Sequence, residues 1–541
     1  MQIHQERGIA LIVALFLMTA LSVLGASMMF LSQTETYASL NYRVMSQARY
    51  AAEAGVQKAS NFLLDPAQYA MPTPVGGTDP MTNYDTTKSP VRFANAPVVL
   101  SATTGIASNY PVAAVKDAFN AAAKGTLSAG NAGLTYNAYA TLISMQKFDS
   151  YGGTQQVVQT WEITADGGLT GSSKATVEVV AQIETPRVPA NSYAAFATAN
   201  TCDAIYFHGN TTINSYDSSD PSFTASIAAG LAHSTMSTGG DVGTNGNLHI
   251  QGSVDVEGNL YTPRSGVGTC SAGAVTGLTE GGSAQVDGSM VQLPKAVAYP
   301  KPIFSTVPPT TSVTINSTGL LAANKVATCA ALGLTYGDTT TVPVGNCTVS
   351  GSTLTVDGHG SDVTLPSVTV ANGITLVFQG NSPPANVNIN SLDGTGAVQV
   401  NANMTGALNQ EVVLKVAGKN PVGVTSPTLA DPTDMVTPIN LATLSWKQNA
   451  PAQSLDASSF QIAYGGTGTI SMQGNNQSAV TIYAPNATFG LTGTADLFGS
   501  VLAKTVDNGG DANIHYDRRL RHDFWVAGLP MVSTFSWKRS Q

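Results

Sequence analysis

The fold is decided first by Gly8-Ile-Ala-Leu-Ile-Val-Ala-Leu-Phe-Leu-Met18, an apolar run that continues to Thr34 without a charged side chain. A helix rises about 1.5 Å per residue, so this run is long enough to cross the roughly 30 Å hydrocarbon core of a bilayer. Residues 9–31 are therefore predicted to span a membrane once. The rest of the chain follows this anchor.

A short polar leader, Gln5-Glu-Arg-Gly8, stands directly before the apolar run. A secretory signal would have a shorter apolar core and a small-residue cleavage site, and Ala26-Ser-Met-Met29 is a poor one. A plain membrane anchor is physically sufficient to explain the segment. A leader that ends in Gly before a long apolar helix also resembles a prepilin signal. That resemblance implies peptidase cleavage between Gly8 and Ile9, which makes Ile9 the methylated N-terminus.

The helical pattern continues beyond the membrane segment. Residues 32–64 contain no Pro and a single Gly, and Asp65-Pro66 ends the run. Apolar side chains recur at helical spacing, namely Tyr37, Leu40, Val44, Ala48, Ala51, Ala52, Val56, Ala59, Phe62 and Leu63. The pattern predicts a transmembrane and stalk helix over residues 9–65, roughly 84 Å long. A generic membrane-proximal stalk would have the same pattern.

Two short motifs carry a resemblance to a known family. Glu6-Arg-Gly8 before the apolar helix and Ala48-Arg-Tyr-Ala-Ala-Glu-Ala-Gly55 within it resemble the PilX N-terminal family of type IV pilus minor pilins. The resemblance implies a single-pass protein of the bacterial inner membrane that reaches the pilus or cell surface after assembly. The partners it implies are a prepilin peptidase, other minor pilins and the major pilin.

Position 13 departs from the pattern of the major pilins, which carry a glutamate at the fifth residue of the mature chain. This sequence has Val13 there. In lacking the glutamate it is similar to many PilX-like minor pilins and to pseudopilins of type II secretion. The sequence therefore leaves a type IV pilus and a type II secretion system both open.

Composition indicates a folded, β-rich protein outside the cytoplasm. The chain has 541 residues, of which 11% are charged and 53 are Gly, and its net charge is −9. Disordered chains usually have more charge and fewer β-branched residues, whereas abundant Gly, Asn, Ser, Thr and Val suit strands with tight turns. The sequence has no basic stripe, so nucleic-acid binding by electrostatic attraction is not supported.

Residues 66–190 are predicted to form a small α+β head like that of a pilin. Residues 113–124 have the pattern of a short helix. Three strands are expected, over residues 134–147, 157–164 and 175–183. One long helix with a three-stranded antiparallel meander is what a pilin head resembles. Residues 185–190, which contain two Pro, are expected to be a linker.

Residues 191–541 are predicted to form a parallel β-helix. In Gly246-Asn-Leu-His-Ile-Gln-Gly-Ser-Val-Asp-Val-Glu-Gly-Asn-Leu260 the glycines are six residues apart and the apolar residues share one face. Three short strands with sharp corners would make one turn of about 18 residues. Similar segments recur at irregular spacing, so a β-sandwich is the alternative.

The C-terminal region resembles the β-helical domain often fused to PilX-like N-termini, over residues 482–493, 497–504 and 514–517. The resemblance implies a right-handed coil. Phe524-Trp525 and Phe535-Ser-Trp537 are expected to cover its open end, because an uncovered edge invites aggregation. The predicted fold class is therefore mixed: a long N-terminal helix, a small α+β head and a large right-handed parallel β-helix.

The chain has four cysteines: Cys202, Cys270, Cys329 and Cys347. In an exported protein an even number of cysteines favours disulfides. Of the three pairings that four cysteines allow, the pairing of sequence neighbours is preferred, Cys202 with Cys270 and Cys329 with Cys347. Four free, buried thiols are the alternative.

Motifs for catalysis or cofactor binding are missing from the sequence. The seven His never occur at metal-binding spacing, and neither a Gly-x-Ser-x-Gly elbow nor a P-loop is present. The densest polar cluster spans residues 515–523, and a salt-bridged cap explains it better than a polysaccharide-cleaving site does. We therefore predict that the protein is not an enzyme and has no cofactor or metal site.

Two functions from different classes fit these observations. The first is a structural minor pilin, a component of pilus assembly or of the pilus tip, whose β-helix contacts a protein, a surface or a glycan. The second is a membrane-anchored β-helix protein that binds or acts on polysaccharide and never enters a filament. Cleavage at the Gly8–Ile9 junction distinguishes the two.

Overall fold

The computed structural model divides the chain into two compact units. The described residues are 7–65, 68–69, 81–129, 132–149, 155–169, 177–220, 222, 239–299, 301–302, 308–337, 345–381, 385–401, 411–418, 445–448, 455–474, 477–522, 524–528 and 531–539. The first, called the head unit, comprises Met1–Phe148, Val157–Pro186 and Gly528–Gln541. The second, called the inserted unit, comprises Asp149–Gln156 and Arg187–Ala527.

Helix α1 (Arg7–Leu64) forms as predicted, without a break. Its first part, residues 9–43, is exposed at every position, and fully buried side chains begin at Ala48. From Ile9 the helix is long and apolar enough to cross a membrane, and its apolar window is not buried by the rest of the described protein. The helix thus has an uncovered half and a packed half.

The head unit contains one further helix, α2 (Ala113–Ala122). Its strands up to the insertion are β1 (Tyr84–Asp85), β2 (Arg92–Phe93), β3 (Ala96–Pro97), β4 (Val99–Ser101), β5 (Lys124–Ala129), β6 (Ala132–Asp149), β7 (Gln155–Leu169) and β8 (Val177–Glu184). The predicted helix and the three predicted strands are all present, as α2, β6, β7 and β8. The core between α1 and the sheet contains Phe62, Phe119 and Trp161.

Small residues let α1 approach the sheet closely. Ala48 and Ala52 face Gly167 of β7, where a Cβ atom would collide with the Ala48 carbonyl oxygen and the Ala52 nitrogen. One turn further on, a Cβ at Gly55 would lie 3.1 Å from the Cβ of Ala165. The Ala- and Gly-rich motif over residues 48–55 therefore serves helix–sheet packing, in which larger side chains would hold the two elements apart.

The inserted unit is almost entirely made of strands. They are β9 (Arg187–Pro189), β10 (Ala195–Ala197), β11 (Ile205–Tyr216), β12 (Val242–Thr244), β13 (Leu248–Val256), β14 (Leu260–Thr262), β15 (Leu278–Gly282), β16 (Gln285–Val286), β17 (Met290–Gln292), β18 (Ser312–Ile315), β19 (Cys347–Ser350), β20 (Thr353–Asp357), β21 (Val363–Val370), β22 (Thr375–Gln379), β23 (Ala385–Gly394), β24 (Ala397–Asn401), β25 (Val412–Val416), β26 (Ser445–Gln448), β27 (Phe460–Tyr464), β28 (Thr469–Gly474), β29 (Gln477–Gly493), β30 (Asp496–Asn508), β31 (Asn513–Asp517) and β32 (Trp525–Ala527). Among its described residues are also helix α3 (Lys325–Ala331) and two 3-10 turns, Ala457–Ser459 and Arg518–His522.

The final strand, β33 (Met531–Arg539), returns to the head unit and pairs antiparallel with β8. The sheet order there is β33-β8-β7-β6-β4. This corrects the expectation that residues 191–541 form one domain and that Phe535 and Trp537 cover the end of a coil. Hydrogen bonding explains the difference, because β33 satisfies the backbone groups of β8, which would otherwise be an open edge.

Parallel pairing dominates the inserted unit. One series of paired strands runs β18-β21-β23-β25-β27-β29-β30-β11-β13-β15, and we call it the parallel stack. A second sheet, β19-β20-β22-β24-β26, is parallel except for the antiparallel pair β19–β20. The unit is thus a large β-rich body with parallel sheets, as its alternating segments predicted.

The order of strands in the parallel stack differs from their order in the sequence. The late strand β30 pairs with β29 on one side and with the early strands β10 and β11 on the other. Ile205 of β11, for example, is the register partner of Val506 of β30. The first and last strands that the chain adds to the parallel stack are therefore neighbours in the middle of the stack, not at its two ends. The strands that lead in and out, β9 and β32, are paired antiparallel with each other.

A column of glycines forms one corner of the parallel stack. Gly209, Gly252 and Gly282 are register partners on adjacent strands, and Gly510 extends the column. All four have positive φ angles. A Cβ at Gly252 would lie 2.6 Å from the Gly209 carbonyl oxygen, so a side chain is excluded by space as well as by backbone conformation. The recurrent glycines seen in the sequence are therefore corner residues.

Candidate functional site

The predicted cleavage junction lies at the start of α1. Gly8 and Ile9 are both helical, and the Ile9 side chain is exposed. Val13, the position where major pilins carry glutamate, is 52% exposed on the same uncovered part of the helix. Residues 1–6 of the leader lie outside the described residues. The structure thus leaves Ile9 and Val13 on a surface that is free for contact with lipid or with another helix.

Polar groups in the membrane segment are satisfied within the helix itself. The hydroxyls of Thr19, Ser22 and Ser27 donate to the carbonyl oxygens of Leu15, Met18 and Val23, at 3.1, 2.7 and 2.8 Å. Since hydrocarbon offers no hydrogen-bond partners, internal bonding of this kind is what a lipid-facing helix needs. The segment can therefore face lipid without leaving these three hydroxyls unpaired.

Apolar exposure continues above the membrane segment. Tyr37, Leu40, Tyr42 and Tyr50 are all at least half exposed, at 66%, 50%, 76% and 66%. The sequence analysis placed Tyr37 and Leu40 in one helically spaced apolar series with Ala48, and the structure fully buries members of that series only from Ala48 onwards. The head sheet does not extend to the earlier turns. These four side chains, set among polar residues of the stalk, are therefore exposed and available for contact with a partner.

Disulfides join the same cysteines that the sequence paired as neighbours. Cys329 in α3 is bonded to Cys347 at the start of β19, and both are fully buried. Cys202 is bonded to Cys270 in the segment between β14 and β15. The first bond fixes α3 to the edge strand β19, and the second fixes the segment before β15. Both bonds therefore lie near strands where the parallel sheets end.

The polar cluster over residues 515–523 separates into different networks. His515 is 2% exposed and lies 2.6 Å from the Asn214 amide oxygen through Nδ1. Arg519 donates to Asp456 at 2.7 Å, and Arg521 donates to Asp241 at 3.3 Å. Asp523 lies outside the described residues. The cluster thus links strands and turns of the inserted unit, in accord with the interpretation as structural ion pairs.

Asp517 is the most perturbed acidic group in this region. Its carboxylate accepts hydrogen bonds from the backbone N–H groups of Ser218 and Arg519, each at 3.1 Å. Burial raises the pKa of Asp517 to about 6, and the nearby Asp456 carboxylate acts in the same direction. Among the described residues no group of three or more His, Cys, Asp or Glu could hold a metal ion.

These features define a chain with one long apolar helix that could span a membrane, a small α+β head and a large β-rich insertion. Residues 7–57 match the PilX N-terminal family, and residues 325–523 match a domain of unknown function (DUF7305). The resemblance to the PilX N-terminal family seen in the sequence is thereby confirmed, and the matched residues lie within α1. The family match covers only the helix, so it gives no function for the inserted unit.

Among solved structures, the competence-associated pilin ComZ from Thermus thermophilus is similar at 14% identity. The similarity covers 92% of this chain and 98% of that chain, with a TM-score of 0.25, which supports no conclusion about the fold. No curated protein matches the chain.

Proposed function

We propose that this protein is a structural minor pilin of a type IV pilus or a related system, with no catalytic role. The observation that carries the proposal is α1: a PilX-type helix whose residues 9–43 are all exposed, of which 9–31 are apolar enough to lie first in lipid and then against other pilins. A prepilin peptidase would cut between Gly8 and Ile9. The mature protein would then start with the positively charged amine of Ile9.

Val13 supports a position at the start of a filament. In pilins the glutamate at this position pairs with the N-terminal amine of the subunit already in place, which offsets the cost of a carboxylate in lipid. Val13 cannot make that pair with a subunit ahead of it. The Ile9 amine can still receive the glutamate of a subunit that follows. Such a subunit is suited to come first and to remain at the tip.

The inserted unit supports the same position. Residues 187–527 make up a far larger mass than the pilin-like head unit does. One such unit on every subunit would obstruct the packing of subunits in a helical filament. We propose that this unit is a right-handed parallel β-helix displayed at the tip, on the cell surface, for adhesion or protein contact. Its partners would be the other minor pilins and the major pilin below it and a surface or glycan ligand beyond it.

Processing and position can be tested in the natural host. N-terminal sequencing of membrane-extracted protein should find Ile9, and Gly8→Arg should prevent the cut, because the peptidase site requires a small residue. Immunogold labelling against the inserted unit should mark filament ends. A mature chain that retains Met1, or even labelling along the length of filaments, would contradict the proposal.

A further inference from the structure

A row of polar and aromatic side chains crosses four adjacent strands of the parallel stack. Tyr206 of β11 is the register partner of Asp507 on β30 and of His249 on β13, and His249 is the partner of Thr279 on β15. Adjacent strands are about 4.8 Å apart, so the row is roughly 14 Å long. With its neighbours it forms a set that we call the Tyr206 strip: Asp203, Tyr206, His208, His249, Gln251, Thr279 and Asp507.

The strip lies on the outer face of these strands. The residues between its members point inward and form the core, with Ile205, Phe207, Leu248 and Ile250 fully buried. The strip residues are open to solvent: His208 is 41% exposed and Asp507 is 57% exposed. Each strip position is thus held on a rigid, fully packed strand and is accessible from outside.

Three aromatic rings of the strip form one stacked row. The Tyr206 ring lies 4.6 Å from the His208 ring and 4.7 Å from the His249 ring, measured between centroids. The Tyr206–His208 contact is stacked, with an interplanar angle of 27°, and the Tyr206–His249 contact is tilted, at 36°. Stacking of this kind fixes the rings in place before any ligand arrives, which lowers the entropy cost of binding.

Polar contacts orient the imidazoles of His208 and His249, and the carboxylates that make these contacts can accept further hydrogen bonds. His249 Nδ1 lies 2.8 Å from Asp203 Oδ1, and His208 Nε2 lies 3.2 Å from Asp507 Oδ1. The Tyr206 hydroxyl donates to Gln251 Oε1 at 2.9 Å. A carboxylate has about four acceptor positions, so each Asp retains capacity for hydroxyl donors. The strip therefore combines a preformed aromatic row with carboxylate acceptors on either side.

This combination matches the chemistry of a sugar chain. A pyranose ring has an apolar C–H surface that packs on aromatic carbons, and its rim of hydroxyls donates to carboxylates and amide oxygens. The strip contains two carboxylates and neither Lys nor Arg, so it would repel an anionic polymer. We propose that the Tyr206 strip binds a neutral oligosaccharide along the row of strands.

This inference rests on the proposed surface role of the inserted unit and names its ligand class. In the proposed function, entry into the filament depends on α1 and not on the Tyr206 strip. The pilin proposal and the glycan-binding proposal can therefore be contradicted independently. A chain that enters filaments but binds no glycan would contradict only the strip. A chain that binds glycan but never enters filaments would contradict only the pilin assignment.

The test uses the full-length chain in detergent, on surfaces that carry chitohexaose, cellohexaose or mannohexaose, with polygalacturonate as the anionic probe. We expect binding to at least one neutral probe and none to polygalacturonate. Tyr206→Ala, which removes the central ring, and the isosteric Asp507→Asn should each weaken that binding at least tenfold. Thr369→Ala, at an exposed position of β21 in the same stack, should leave it unchanged.

Thermal unfolding of each variant would show whether it is folded. If Tyr206→Ala does not fold, Asp507→Asn still tests the proposal. No binding to any neutral probe would overturn the proposal. So would binding that the folded Tyr206 and Asp507 variants leave intact, since the ligand would then occupy another surface. Preferential binding to polygalacturonate would show that the charge argument is wrong.

Discussion

Gly167 of β7 lies directly against Ala48 of α1, so close that a Cβ at Gly167 would collide with the Ala48 carbonyl oxygen. The obstacle is helix backbone, which cannot rotate away as a flexible side chain could. The neighbouring Gly168 has room for a methyl group. A Cβ there would lie 3.6 Å from Thr135 Oγ1, which is an ordinary contact distance. Two adjacent glycines of one strand therefore have different roles.

Gly167→Ala should loosen α1 from the head sheet, because the helix must move away to admit the methyl group. Overpacking of this kind typically costs about 1–3 kcal/mol. Hydrogen exchange of the full-length protein should show faster exchange over residues 48–63. Gly168→Ala is the matched control and should leave exchange there unchanged. Equal effects of the two substitutions would mean that close helix–sheet contact is not the reason for Gly167.

Asp517→Asn should stabilise the inserted unit at pH 8 but not at pH 4. Burial raises the pKa of Asp517 to about 6 from an ordinary value of 3.8. Below pH 4 the carboxyl is protonated in both the folded and unfolded states and adds no penalty. As the pH rises from 4 to 6 the unfolded state ionises first, so stability falls by about 3 kcal/mol in total.

The asparagine keeps an oxygen that can accept from Ser218 and Arg519, and besides the charge it loses only the long, 3.4 Å hydrogen bond that Oδ2 accepts from the Ala457 N–H. The unfolding midpoint of the inserted unit should rise by several degrees at pH 8 and show no gain at pH 4. Asp511→Asn, at an exposed site, serves as the control and should shift the midpoint little at either pH. A gain for Asp517→Asn that is the same at both pH values would rule out ionisation as its cause.

Removal of the Cys329–Cys347 bond should loosen one part of the inserted unit. The two residues are 18 positions apart, for which loop-closure entropy gives about 3 kcal/mol. The double Ser variant should show faster hydrogen exchange in α3 and β19. The matching double variant at Cys202 and Cys270 should affect the segment around β15 instead. Non-reducing mass mapping of the wild-type protein should find both bonds, and four free thiols would refute this prediction.

The head unit should fold without the inserted unit if the chain is closed by a short turn. Pro189 and Trp525 are register partners at the end of the antiparallel pair β9–β32. Replacing residues 190–524 with Asn-Gly would join them through a two-residue hairpin. We expect this variant to be stable in the membrane and cut after Gly8.

The control is a chain that ends at residue 186, which lacks β33 and leaves β8 paired only with β7, with its other edge open. We expect this control to be degraded, because the backbone N–H and C=O groups on the open edge of β8 would lack hydrogen-bond partners. If the hairpin variant were degraded and the truncated chain were stable, the return of the C-terminus to the head sheet would have no role in folding.

Local pattern was enough to predict the elements of this protein. The uninterrupted apolar run and the lack of Pro before residue 66 predicted α1. Alternation around Gly252 predicted which side chains of β13 point inward, and Val254 and Val256 are indeed buried. Period and turn chemistry are properties of neighbouring residues, so a sequence displays them directly.

Long-range pairing could not be predicted in the same way. The positions of β30 beside β11 and of β33 beside β8 depend on partners hundreds of residues away, and nothing in the local pattern of either strand specifies them. The Tyr206 strip was missed for the same reason, because its members come from segments that look unrelated in sequence. Alternation does place Tyr206 and His208 on one face of a strand, but it cannot show that His249 lies beside them.

The late arrival of β30 governs when the inserted unit can fold. As the chain is synthesised, the strands from β10 to β17 emerge long before residues 496–508 do. Ile205 must therefore wait for Val506, a partner roughly 300 residues downstream. Contacts of such long range form slowly, since the intervening chain must be ordered before they close. Synthesis of β11 and completion of its pairing are thus separated in time, and an incomplete chain leaves the β30-facing edge of β11 open.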